Sequence, residues 1–464
     1  MFDLNKITRV YFIGIGGIGM SAIARYFNQK GVCVSGYDKT ATDLTKEMEV
    51  EGIMINYIDD VNQIDKKAEL VVFTPAVPPN NYQYKYYLDN KYPLLKRSDV
   101  LGAITSTGYS ICVAGTHGKT TISTMIAHIL ADSKYGCTAF LGGISANYNT
   151  NFWSSNNNVF VVEADEYDRS FLKLSPDTAV ISAMDPDHLE IYGSERAMQQ
   201  GFIDFANNIK PGGLLLTKYG IQRTDEFSST SHLTYSVQNI GADAYATNIT
   251  IKGGSYQFGV MQADWKIDGL ELNMGGVHNV ENAVAAICVA HHLKIDDKLI
   301  IKAISNFKGV KRRFQYILPG RSNESSDGNK IRNKTIFIDD YAHHPQELRA
   351  LINGVKASYP HLRSTIIFQP HLFSRTRDLA EEFASALDLA DEVILLPVYP
   401  ARELPVEGVN SELILNKMLL PSRQILDKVE LLEWISTQRN IELLITAGAG
   451  DIDQLVLPIQ NLIK

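Results

Sequence analysis

The sequence predicts an α/β protein of three βαβ-type units in series. Three observations carry that prediction: the length, the alternation of short β-rich runs with amphipathic stretches, and two glycine-rich loops that each follow an apolar run and open a helix. The chain has 464 residues, and at about 150 residues per domain that gives roughly three domains, each able to bury a core. Hydrophobic residues make up 45% and charged residues 21%, which excludes a disordered, collagen-like or membrane-bundle chain. No apolar run reaches the ~18 residues that mark a spanning helix, so no membrane partner is expected. Lys plus Arg is 44 against 52 Asp plus Glu, a net charge of -8. That balance disfavours nucleic acid and requires any anionic ligand to be held locally.

In the first unit Val10–Ile13 reads as a strand, Ile18 to Gln29 as a helix, and Val32–Val34 and Leu70–Phe73 as further strands. Lys6 and Arg9 ahead of an apolar run resemble a secretory leader, but a leader core has no use for Gly14, Gly16, Gly17 and Gly19, whereas a strand turning into a helix around a phosphate does. A cytoplasmic protein is therefore expected. The second unit opens with the apolar run Ser110–Ala114, a glycine-rich loop and a helix from Lys119 to about Ala131, with strands at Val159–Val162 and Ala179–Ser182. Alternation across residues 240–274, around Gly253-Gly254 and Gly275-Gly276, predicts β-hairpins added to this unit. The third unit begins after Lys311-Arg312-Arg313, with strands at Thr335–Ile338, Ser364–Phe368, Val393–Leu396 and Leu443–Thr446, each followed by a helical pattern. Arg321 to Lys334 has no apolar periodicity and is expected to be an exposed, mobile loop. The expected domains are 1–105, 106–312 and 313–464. Cys33, Cys112, Cys137 and Cys288 stand singly without CxxC spacing, as buried reduced thiols do.

Residues 14–19, GIGGIG, satisfy the dinucleotide fingerprint, and Asp38 follows about 20 residues on, where it can meet a ribose hydroxyl. Alone this suggests an NAD-dependent dehydrogenase. The glycines themselves warrant only a diphosphate at a helix N-terminus, and a UDP group serves equally well. The loop Gly115-Thr116-His117-Gly118-Lys119-Thr120-Thr121 has two residues fewer between its glycines than the usual P-loop. It still supplies backbone amides for phosphates, Lys119 for the β and γ oxygens and the Thr120 hydroxyl for Mg²⁺. Glu163 and Asp165 end one buried run, and Asp185, Asp187 and His188 end the next. Carboxylates and a histidine beside a phosphate loop suit a divalent metal on ATP. His278, Asn279 and Asn282 open a further helix and are placed to hold a purine edge. In the third unit, Asp339-Asp340-Tyr341-Ala342-His343-His344-Pro345 and Gln369 to Arg377 bring histidines and arginines to consecutive strand ends, the side on which parallel sheets bind ligands.

Taken together, GIGGIGMSAIA at 14–24, GTHGKTT at 115–121, EADEYDRSFL at 163–172, DPDHLEIY at 185–192, GVHNVENA at 276–283, GVKRRF at 309–314, DDYAHHP at 339–345, QPHLFSRT at 369–376, VYPARE at 398–403 and GAGDI at 448–452 resemble the Mur ligases of peptidoglycan synthesis, in family order along the whole chain. The resemblance implies an N-terminal Rossmann-like domain, a central P-loop ATPase-type α/β domain and a C-terminal Rossmann-like domain that closes for catalysis. It implies a ligase that uses ATP to join L-alanine to the lactyl carboxylate of UDP-N-acetylmuramate, with Mg²⁺ or alternatively Mn²⁺. A monomer or homodimer is expected. By motif, Gly16, Gly17, Gly19, Asp38, Thr74 and Arg97 would hold the UDP-sugar. Residues 115–121, His278, Asn279, Asn282 and Arg312 would hold ATP, and Thr120, Glu163 and His188 the metals. Tyr341, His343, His371 and Arg375 would line the amino-acid pocket, with Lys119, Glu163, His188, His343 and Arg375 catalytic and His343 the candidate proton acceptor. Leu372 stands where family members often carry an arginine, leaving a carboxylate contact to Arg375 or Arg377. A ligase of a recovered murein tripeptide on the same sugar is the nearest alternative, and the dehydrogenase and a non-catalytic UDP-sugar sensor are alternatives of other classes.

Overall fold

The computed structural model describes residues 4–186, 189–228, 231–252, 254–319, 335–401, 403–438 and 440–464. The expected loop from Arg321 to Lys334 lies outside the described residues. The chain forms two compact units, one of Met1–Thr247, Gly259–Asp268 and Glu281–Phe307, the other of Asn248–Phe258, Gly269–Val280 and Lys308–Lys464. Among the described residues no helix is long and apolar enough to cross a membrane.

The first sheet holds β1 (Arg9–Ile13), β2 (Cys33–Tyr37), β3 (Met54–Asn56), β4 (Leu70–Phe73) and β5 (Leu94–Lys96) in the order β3-β2-β1-β4-β5, every pair parallel. Strand order reverses between β1 and β4, so a crevice opens at the carboxyl end of β1, where the first glycine loop lies. Val10, Phe12, Leu70 and Val72 are buried on one face and Tyr11, Ile13 and Val71 on the other, which is why these strands read as continuous apolar runs. The helix Ile18–Gln29 falls where the sequence places it, and its N-cap, Gly17, makes no side-chain cap hydrogen bond. Its first N–H groups therefore remain available to an anion.

The second sheet runs β6 (Tyr109–Ala114), β7 (Thr138–Ser145), β8 (Thr150–Trp153), β9 (Val159–Glu163), β10 (Thr178–Ile181), β11 (Leu214–Lys218), β12 (Ser231–Ser236), β13 (Ala244–Lys252), β14 (Ser255–Gln262) and β15 (Trp265–Leu272) along the chain, ordered β15-β14-β13-β12-β11-β10-β6-β9-β7-β8 in space. β6 lies between β9 and β10 and is parallel to both. The loop after β6 is thus flanked by the ends of the two strands predicted to carry acids. The last three strands are the expected hairpin additions, although one of their turns uses Ala263 at φ 49° rather than a glycine.

Within the first unit, the helix Ile18–Gln29 packs on the β7–β8 edge. Arg25 Nη1 donates to Asn151 Oδ1 at 2.7 Å, and Asn151 Nδ2 donates to the Ile18 carbonyl at 2.6 Å. Arg25 is also paired with Glu51 at 2.7 Å and is almost wholly buried. Tyr26 lies against Phe140 and Phe152, with ring centroids 5.7 and 6.4 Å away.

The third sheet holds β16 (Gln315–Pro319), β17 (Ile336–Asp340), β18 (Ser364–Phe368), β19 (Glu392–Leu395), β20 (Arg423–Ile425) and β21 (Leu443–Ala447), ordered β16-β17-β21-β18-β19-β20. It is parallel except for β16, which runs antiparallel to β17. Ile338, Ile366 and Phe368 fill one face, and Phe337 and Ile367 the other, the period of two that a doubly covered sheet demands. The four free cysteines are buried apart from the half-buried Cys33.

Candidate active site

At the first glycine loop the structure gathers most of the residues expected to hold the UDP-sugar. A Cβ on Gly19 would stand 2.8 Å from Arg97 Nη1, so the missing side chain leaves this guanidinium room over the helix N-terminus. Thr74 approaches Gly14, and Asp38 approaches Gly16. Asp38 accepts hydrogen bonds from Gly16 N at 2.7 Å and Thr40 N at 3.1 Å, so one oxygen holds the glycine loop and the other its own turn after β2. Arg97 is also 3.6 Å from Asp165.

The second loop has Gly118 at φ 84° as N-cap of the helix Lys119–Asp132, again with no side-chain cap bond. Ser182, at the end of β10, donates through its hydroxyl to the His117 carbonyl, and Thr116 Oγ1 accepts from Asp185 N at 3.2 Å. Thr120 and Thr121 are buried. A Cβ on Gly118 would meet Asn282 Oδ1 at 2.9 Å, which puts Asn282 beside the loop. Lys119 Nζ donates to the Gly115 carbonyl at 2.6 Å and to Glu166 Oε1 at 2.8 Å. Burial alone would lower the Lys119 pKa, but the carboxylates of Glu166, Glu163 and Asp165 outweigh it and hold the ammonium charged.

Glu163 ends β9 and accepts from Gly142 N at 3.1 Å. A Cβ on Gly142 would stand 2.2 Å from Glu163 Oε1, so glycine keeps a cradle open around this carboxylate. A carboxylate and the Thr120 hydroxyl are the hard oxygen donors that Mg²⁺ takes. Among the described residues no group of three or more His, Cys, Asp or Glu is arranged to hold a metal; His188 and Asp187 lie outside the described residues.

His278 and Asn279 open the helix Val277–His292. The Asn279 side chain donates to the Gly275 carbonyl at 2.7 Å.

In the second unit the ends of β17 and β18 bring their predicted residues together. Tyr341 lies under two guanidinium groups, Arg312 at 5.1 Å and Arg313 at 5.3 Å from its ring centre. Arg312 is further engaged by Asp339 and Asp453, each at 3.5 Å, and by the Gly448 carbonyl. His343 Nδ1 lies 2.9 Å from the Tyr341 carbonyl, an oxygen that can only accept, so Nδ1 carries the proton and Nε2 keeps a free lone pair. Burial lowers the His343 pKa, against the pull of Glu347. Its ring centre is 6.0 Å from that of His371, which stacks on Tyr399. Arg375 has a buried Nη1 without a hydrogen-bond partner. Leu372 sits at φ 69°, a left-handed backbone that side chains rarely adopt.

Several contributors escape the motif reading. Glu166 is buried against Lys119. Glu347 accepts from the backbone N–H groups of His343 and His344 at 2.9 and 3.2 Å. His-Pro followed by Glu at the third helical position was a legible capping signal. Asp340 accepts from Phe314 N at 2.6 Å and Ala342 N at 2.7 Å, fixing the strand exit that carries Tyr341 and His343.

Residues 9–109 match the Mur ligase family catalytic domain, residues 113–290 the Mur ligase middle domain, and residues 328–452 the Mur ligase glutamate ligase domain. The chain is 42% identical to the UDP-N-acetylmuramate--L-alanine ligase of Cytophaga hutchinsonii, over 99% of this chain and 98% of that one. It is 44% identical to the enzyme of the same name from Parabacteroides distasonis, over 99% and 98%. Among solved structures, the UDP-N-acetylmuramate-alanine ligase of Thermotoga maritima superposes with a TM-score of 0.81 at 28% identity, covering 98% of each chain. A murein peptide ligase from Psychrobacter arcticus shares the fold, with a TM-score of 0.69 at 23% identity and 98% coverage of each chain.

Proposed function

The chain belongs to the Mur ligase family, and from that membership we infer that it is an ATP-dependent ligase joining L-alanine to UDP-N-acetylmuramate in peptidoglycan precursor synthesis. The observation that carries this reading is identity of 42–44% along the full length to enzymes of that one activity. The murein peptide ligase reading has lower identity behind it, 23% to the Psychrobacter arcticus enzyme and 26% over 66% of this chain to that of Neisseria meningitides. We place the enzyme in the cytoplasm and its three domains at 1–105, 106–312 and 313–464.

A carboxylate does not condense with an amine in water without activation. Transfer of the γ-phosphoryl group breaks its bond to the β-phosphate oxygen, forms an acyl phosphate on the lactyl carboxylate and releases ADP. The alanine amine then attacks the acyl carbon, and the tetrahedral intermediate expels phosphate. We assign the UDP-sugar diphosphate to the N-terminus of helix Ile18–Gln29 with Arg97, and the triphosphate to residues 115–121. Lys119 would neutralise the oxygens of the transferring group, so that this step depends on positioning and electrostatics. Mg²⁺, when bound, would screen charge on the phosphates; Thr120 and Glu163 fit it, the latter in the cradle that Gly142 leaves open. His343, neutral and with Nε2 free, suits the proton given up by the attacking amine. Arg375, with an unmatched buried N–H, suits a substrate carboxylate.

Phosphate release measured with UDP-N-acetylmuramate, ATP and a panel of amino acids tests the reading. L-alanine is expected to exceed glycine by about 10–200-fold, the reach of one methyl pocket. Turnover with the tripeptide and none with L-alanine would overturn it.

A further inference from the structure

We propose that Glu166 is the positioning residue that aims Lys119 at the transferring phosphoryl group, an inference that rests on reading residues 115–121 as the triphosphate site. An ammonium has three N–H donors. Two are taken, by the Gly115 carbonyl at 2.6 Å and Glu166 Oε1 at 2.8 Å, and the third is left with one direction to point. Without Glu166 the four-carbon lysine stem would regain its rotamers, and the charge would be present but unaimed.

Glu166 is itself rigidly placed. Its carbonyl accepts from the Tyr192 hydroxyl at 2.7 Å. The neighbouring Asp165 carbonyl accepts from Phe171 N at 3.0 Å and from Ser170 Oγ at 2.9 Å. Asp168 and Arg169 both sit at left-handed φ, 56° and 55°, a conformation that persists only where surrounding contacts impose it. The carboxylate is 1% exposed, yet its Oε2 has no hydrogen-bond partner. Asp340, by contrast, binds backbone N–H groups with both oxygens and so serves the backbone around it. A buried carboxylate left half-satisfied is costly unless a cation compensates it, and Lys119 is that cation. Glu166 is therefore placed for the lysine.

Glu166→Gln keeps size and packing while replacing the carboxylate, and Glu166→Ala releases the lysine altogether. We expect kcat to fall about 10-fold in the first and about 100-fold in the second, the cost of misplacing a catalytic group. KM for the UDP-sugar and calorimetric affinity for a non-hydrolysable ATP analogue should change by less than about threefold in Glu166→Gln, since the cation remains. Its thermal midpoint should fall, because the buried Lys119 charge loses its ion-pair partner, so turnover is compared at a temperature where the variant is folded. Parent kcat in both variants would overturn the proposal. So would a loss of kcat in Glu166→Gln matched by an equal loss of analogue affinity, which would make the residue merely structural. Lys119→Ala separates the premise from the inference: if that variant keeps parent turnover and analogue affinity, the triphosphate reading itself fails.

Discussion

The Gly16 backbone N–H donates to the Asp38 carboxylate at 2.7 Å, so an acid that a dinucleotide site would turn toward a ribose is turned toward its own glycine loop. With Thr40 N fixing the other oxygen in the turn after β2, Asp38 is held where it organises that loop. NAD titrated into the protein should give no stoichiometric heat, whereas UDP-N-acetylmuramate should. Asp38→Ala should weaken UDP-sugar binding about 10-fold, because the charge-assisted hydrogen bond that holds Gly16 is lost. Stoichiometric NAD binding would revive the dehydrogenase.

Arg97 reaches over Gly19 and also faces Asp165. Arg97→Ala should raise the dissociation constant for the UDP-sugar about 10- to 100-fold, the span of a charge-assisted phosphate contact. Affinity for an ATP analogue should stay near the parent value; equal weakening of both ligands would remove Arg97 from the sugar site.

Gly142 leaves room for the Glu163 carboxylate. Gly142→Ala drives a methyl into it, and the expected consequence is an Mg²⁺ requirement raised by about 10-fold or more, as for displacement of a group that orients a ligand. Phosphate release followed across an Mg²⁺ titration reads this out. An unchanged titration curve would mean that Glu163 does not meet the metal.

His343 has its pKa lowered from the usual 6.5 by burial, so at neutral pH it is the unprotonated base. As pH falls the unfolded chain takes up this proton before the folded protein does, and the group's contribution to stability is lost below the usual histidine value. The acid limb of kcat/KM should accordingly lie below 6.5, and His343→Gln should remove that limb and lower kcat/KM about 100-fold, within the range of general base catalysis. An acid limb that survives in the variant would assign the proton elsewhere.

Burial pushes both Asp339 and Asp340 up to about 6 from 3.8. Folded-state values above the unfolded ones mean a contribution to stability present below 3.8 and lost as pH rises through the folded values. The chain should therefore lose denaturation midpoint as pH rises from 3.8 to about 6 by a component that Asp339→Asn removes. Asp340→Asn should cost about 1–3 kcal/mol, because the new amide presents a donor to Phe314 N or Ala342 N.

The elements that read well are those whose pattern is local. Ile18–Gln29, Leu70–Phe73 and Ser364–Phe368 stand where the apolar periodicity puts them, and the glycine loops announced strand-to-helix turns. Partners chosen by topology did not read. β16 joins the third sheet antiparallel to β17, across a stretch with no periodicity of its own. Glu166 was visible only as one acid among several, since nothing local says which of them folds under Lys119. The left-handed backbones at Leu372 and Ala263 also gave no warning, because neither position carries the glycine or asparagine that would signal it.

Asn151, planted on the β7–β8 edge, grips both Arg25 and the first turn of the helix behind the GIGGIG loop. The helix behind that loop and the sheet that carries residues 115–121 are thereby cast as a single slab. A disturbance at Asn151 would tilt one glycine loop against the other, and a surveyor of this enzyme's weak points should look there first.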